Sequence, residues 1–110
     1  MREIDVKLIK NKIKELCIDA NTYLPSDITN ALDLCHKNED GALAKEILGD
    51  IIKNYTLAQE RKIPICQDTG LACIFLEIGQ DVHFVGGDLN EAVNEGVREG
   101  YKQGYLRKSA

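Results

Sequence analysis

Cys66, Gln67, Asp68 and Thr69 set a thiol, an amide, a carboxylate and a hydroxyl on consecutive residues, between Pro64-Ile65 and Gly70. A lone thiolate can serve as a nucleophile or as a soft metal ligand. The nucleophile role calls for a paired histidine, and no sequence feature links His36 or His83 to Cys66. The ligand role needs further ligands from elsewhere. Gln67 and Asp68 offer a hydrogen-bond donor and an acceptor suited to a small polar acid. A polar turn around a buried cysteine is the competing reading of the same residues.

The flanks of this run are apolar: Ile63 and Ile65 before it, Leu71 to Leu76 after it. Such flanks predict a polar run where a strand surfaces into a pocket. Leu71-Ala72-Cys73-Ile74-Phe75-Leu76 is apolar on both alternating faces, the pattern of a strand covered on both sides. Ile78 to Val82 reads as a hairpin turn into a second strand over Val82–Val85, with His83 on its more polar side. On this reading Cys73 is buried.

Upstream, Val6, Ile9, Ile13, Leu16, Cys17 and Ala20 recur at helical spacing. Pro25-Ser26-Asp27 opens a second helix striped by Ile28, Ala31, Leu32 and Cys35. After Gly41 a third helix carries Ala44, Ile47, Leu48, Ile51, Tyr55 and Ala58, and Pro64 prevents its continuation. Cys17 and Cys35 are read as packing residues on these stripes. Asp88 caps a final helix striped by Leu89, Ala92, Val93, Gly96, Val97 and Gly100. Two glycines four apart on a packed face cost helix stability, so the stripe predicts close approach of a neighbouring backbone. The expected fold is α+β and mostly helical: three N-terminal helices, a β-hairpin or small sheet, and a C-terminal helix.

Composition bounds the function. The chain has 110 residues, room for one domain with a modest core. A net charge of −4 without a Lys/Arg cluster argues against nucleic-acid binding. No apolar run is long enough to span a bilayer, and no h-region follows Met1-Arg2-Glu3, so a cytoplasmic chain is expected. Gly86-Gly87 precedes a helix, but neither G-x-G-x-x-G nor a Walker pattern is present, which argues against nucleotide binding. The four cysteines, at 17, 35, 66 and 73, form no C-x-x-C pair or zinc spacing. Without a resolving partner, Cys66 has little use as a redox thiol. Ser109-Ala110 carries no capping or stop pattern, and a piece of a longer polypeptide is expected.

Ile63 to Gly70 closely resembles the C-Q-D-T-G motif of the iron–sulfur (class I) fumarate hydratases and the related L(+)-tartrate dehydratases. Asn21 to Pro25, Thr56 to Ala58 and Gly104 to Ser109 also look like the alpha subunit or N-terminal region of that family. The resemblance runs over essentially the whole chain. It implies a reversible hydro-lyase whose 4Fe–4S cluster acts as a Lewis acid, converting fumarate and (S)-malate or, alternatively, tartrate to oxaloacetate. It also implies that Cys66 is a cluster ligand, that Gln67, Asp68 and Arg107 bind the dicarboxylate, and that Asp68 takes part in the acid/base step. The remaining ligands would lie outside this chain, residues 1–110 being an N-terminal part of the catalytic domain that is inactive alone. A beta subunit and homo-oligomerisation are implied as partners. A non-catalytic helical module for subunit association is the reading from another class, and the glycine face of the last helix fits it.

Overall fold

Each helix begins where a local cap ends the preceding strand or loop. The structure, a computed structural model, describes residues 1–107; Lys108 and Ser109, part of the segment that carries the family resemblance, lie outside the described residues. The elements run β1 (Arg2–Asp5), α1 (Val6–Thr22), α2 (Ser26–Asn38), α3 (Ala42–Arg61), β2 (Val82–Val85) and α4 (Leu89–Gln103). The chain is thus mostly helical with a small two-stranded sheet. Asp5 caps α1 by accepting the Lys7 N–H at 2.9 Å, and Asp88 caps α4 by accepting the Glu91 N–H at 3.0 Å. Pro25 stands at the N-cap of α2, where its missing N–H costs nothing.

The packed part of the molecule is the α1–α4 pair beside the sheet. Ile13, Cys17 and Leu106 form its buried centre, with Ile9, Val93, Val97 and Tyr101 packed around them. The glycine face of α4 is what lets the two helices meet. A Cβ on Gly96 would stand 2.6 Å from the Lys10 carbonyl oxygen, and one on Gly100 would stand 3.0 Å from that of Lys14. The close backbone approach expected from the stripe is therefore made, and α1 is the partner. α2 and α3 form a second helical pair.

The sheet corrects the expected hairpin. β2 pairs in parallel with β1, in the register Arg2↔Val82 to Asp5↔Val85. The residues following Gly79 do turn, with the Val82 N–H reaching the Gly79 carbonyl at 3.2 Å, but Leu71–Leu76 forms no strand. It is exposed throughout, Phe75 by 92%. The physical reason is that strand pairing is decided between chain segments. Arg2–Asp5 has a single large apolar residue, Ile4, and so carries little strand pattern of its own, yet it supplies the ladder. Leu71–Leu76 has the pattern and meets no ladder among the described residues. It lies along α1 instead, closing a groove of about 410 Å³ against Ile13, Leu16, Cys17 and Ala20.

Two further burial expectations change. α2 has no buried residue, so the Ile28–Cys35 stripe is covered on one side at most and Cys35 is exposed. Cys73 is exposed with its segment, while Cys17 is buried as expected. The radius of gyration is 18.1 Å, against about 13 Å for a compact domain of this length. The chain is elongated, and many of its large apolar side chains remain in solvent.

Candidate functional site

α3 closes on a left-handed residue, Lys62 at φ 53, and the Ile63 N–H reaches back to the Ala58 carbonyl at 3.1 Å. That is the six-to-one bond of a Schellman ending, made here without glycine. α4 ends in the same way. Tyr105 takes φ 58, and the Leu106 N–H reaches the Tyr101 carbonyl at 2.9 Å. Left-handed backbone at non-glycine residues costs of order 1 kcal/mol or more at each position and concentrates at functional sites. Both of these residues launch a wall of the same cleft.

Ile63, Pro64, Cys66, Gln67, Thr69, Tyr105 and Arg107 line this cleft, whose volume is about 320 Å³. One wall follows α3 and the other follows α4. Three of the expected site residues, Cys66, Gln67 and Arg107, thus share one cavity although Arg107 is far along the chain. The guanidinium of Arg107 is the one formal positive charge among these lining residues, which suits an anionic ligand. Asp68 is next to the cleft but outside its lining. Its Oδ1 accepts the Gly70 N–H at 3.0 Å, and Gly70 sits at φ 65. This is an Asx-type turn that reverses the backbone.

The turn that carries Cys66 is pinned at both ends. Ahead of it, the Ile65 N–H donates to the Asn21 carbonyl at the end of α1, at 2.8 Å. The Ile65 carbonyl accepts from Asn54 Nδ2 on α3 at 2.9 Å. Behind it, the buried Thr69 donates its hydroxyl to the Arg107 carbonyl at 2.5 Å. Two helices, α1 and α3, and the segment that follows α4 therefore hold one short turn. Asn54, Tyr105 and the carbonyl of Asn21 were not legible as site residues. Asn54 lies off the apolar stripe of α3, and a left-handed tyrosine carries no sequence signal.

Cys66 is exposed, and the Asp68 N–H points at its sulfur at 3.4 Å. N–H groups directed at sulfur support metal-bound thiolates and tune iron–sulfur clusters. The donor set is otherwise incomplete. Burial holds the Cys17 thiol above its ordinary range inside the helix pair, away from any such duty. No group of three or more His, Cys, Asp or Glu side chains suited to a metal gathers among the described residues. The chain fits one ligand of a cluster, and the described residues do not fit the whole set.

A family profile described as fumarate hydratase (Fumerase) matches residues 10–110. The chain belongs to the fumarate hydratase family. A relative from Methanocaldococcus jannaschii with the provisional name L(+)-tartrate dehydratase subunit alpha is 40% identical over 75 residues, covering 68% of this chain and 26% of that protein. A relative from Geobacillus stearothermophilus provisionally named fumarate hydratase class I is 34% identical over 65 residues, covering 58% of this chain and 13% of that protein. The matched segment thus spans about a quarter or less of each of these curated relatives. The family relationship makes the chain a lyase-family polypeptide, and no described helix is long and apolar enough to cross a membrane.

Proposed function

We propose that these residues form the N-terminal part of a fumarate hydratase catalytic domain that interconverts fumarate and (S)-malate. The observation that carries the reading is the cleft that gathers Cys66, Gln67 and Arg107 from two separate segments of the chain. In it Arg107 grips one substrate carboxylate by paired N–H bonds, and Gln67 hydrogen-bonds the same acid. Asp68 lies beside them on the turn and takes part in proton transfer once substrate draws it from its bond to Gly70. Cys66 supplies one thiolate to a 4Fe–4S cluster whose other ligands come from outside the described residues. A bound cluster supplies Lewis acidity toward the substrate hydroxyl.

The exposed apolar stretch around Phe75 and the small share of each relative that is matched support a longer catalytic domain, with a beta subunit or a second copy completing it. A second reading, L(+)-tartrate dehydratase, draws support from the name of the 40% identical relative. The two substrates differ by one hydroxyl, so turnover separates them. The test is anaerobic production of the full-length protein with any partner subunit, assayed against fumarate, malate and tartrate. Cys66→Ser should abolish the cluster absorbance and the turnover together. Turnover that survives the substitution refutes the ligand role of Cys66, and tartrate turnover without fumarate turnover selects the second reading.

A further inference from the structure

The turn from Cys66 to Asp68 has no helix or ladder of its own, so its position depends on what holds its ends. We propose that Thr69 is a positioning residue, a latch that fixes the Arg107 segment against the thiol turn and so sets the spacing of the groups that bind a dicarboxylate; the substrate part of this inference rests on the hydro-lyase reading. Asn54 is its counterpart at the other end of the turn. Thr69 bonds across 38 positions of sequence to the Arg107 carbonyl at 2.5 Å, as a residue only 9% exposed. Asn54 reaches across 11 positions to the carbonyl directly before Cys66 at 2.9 Å.

The chemistry explains why threonine suits this place. Its methyl group fills buried space while its hydroxyl donates to a carbonyl that lies beyond the last turn of α4. Valine would fill the same space and donate nothing. At the other side of this segment Tyr105 is left-handed and the Leu106 N–H bonds the Tyr101 carbonyl, so the stretch from Tyr105 to Arg107 is held at both ends, by the helix ending and by the latch. Loss of the hydroxyl releases one end.

The experiment compares Thr69→Val and Thr69→Ser in the full-length enzyme with any partner subunit. Hydrogen exchange followed by mass spectrometry should rise about tenfold across residues 104–107 in Thr69→Val, the scale of one lost hydrogen bond, while α1 stays protected. The KM for fumarate and malate should rise by a similar factor with kcat changed far less, because the arginine is displaced without loss of the cluster. Thr69→Ser should restore both readouts. Unchanged exchange at 104–107 in Thr69→Val overturns the latch. Faster exchange with unchanged KM overturns its role in substrate spacing. A wild-type enzyme inert toward fumarate, malate and tartrate sinks the hydro-lyase reading, while the exchange result still decides the latch. Should Thr69→Val fail to fold, Asn54→Ala at an exposed position tests the same turn. Exchange should then rise at residues 65–68 and stay slow at 104–107, and an unchanged rate at 65–68 overturns the pinning.

Discussion

Replacing Gly96 by alanine tests the packing that carries Arg107 to the cleft. The new Cβ would lie 2.6 Å from the Lys10 carbonyl oxygen, 0.4 Å inside the 3.0 Å limit that such contacts respect. The oxygen belongs to helical backbone, so α1 must move as a body to relieve the clash. Ile13 blocks the same space, its Cβ at 3.0 Å and its Cγ2 at 3.1 Å. Overpacking of this kind costs about 3 kcal/mol at the upper end of its usual range. Alanine returns about 1 kcal/mol through helix propensity. The net loss of about 2 kcal/mol should lower the melting temperature by roughly 10 °C, read by circular dichroism and confirmed by urea unfolding. Gly49→Ala in α3 is the control. Its Cβ would meet nothing closer than His36 Nε2 at 3.4 Å, so it keeps the propensity gain of about 1 kcal/mol without the clash. Equal effects of the two substitutions would refute the close-packing argument.

Thiol reactivity and alkaline stability give two further tests. Iodoacetamide at neutral pH, applied to residues 1–110 free of any cluster or partner, should modify Cys35, Cys66 and Cys73 readily and Cys17 slowly, since the first three are exposed and Cys17 is buried; mass mapping that finds Cys17 modified at the same rate contradicts the helix pairing. Burial raises the Cys17 thiol above its ordinary 9.0. Desolvation, then the hydrogen bond and charge of Asp33, raise the Tyr55 hydroxyl above its ordinary 10.0. Both groups bind their protons more tightly folded than unfolded, so their contribution is complete below about pH 9 and is lost as pH rises through the folded values. Urea midpoints should fall from pH 9 upward, with Cys17→Ala flattening the first part of that slope. A midpoint that rises in this range contradicts the burial of Cys17.

Much of the fold was legible because its signals are local. Helical spacing, Pro25 and Asp88 placed the ends of α2 and α4 within a residue or so, each by satisfying or removing an N–H that the helix leaves free. Gly96 and Gly100 announced a close contact before any partner was known. The C-Q-D-T-G run carried its chemistry in its side chains, which need no fold to be recognised. The strand Arg2–Asp5 was not legible, because four mostly polar residues form a ladder only when β2 arrives beside them.

The sequence by itself determined the helices, the glycine face and the donor types at Cys66 to Asp68. Only tertiary structure decided what those donors face. Ile65 is tied to α1 and α3, Thr69 is tied to the residue that follows Leu106, and these bonds bring Arg107 to Cys66. The same holds for Leu71–Leu76, whose apolar pattern asked for burial that the described residues do not provide. The physical reason is one of range. A helix bonds to itself within four residues, so its pattern is written where it forms, whereas a ladder or a cleft joins distant segments and depends on where the packed helices carry them.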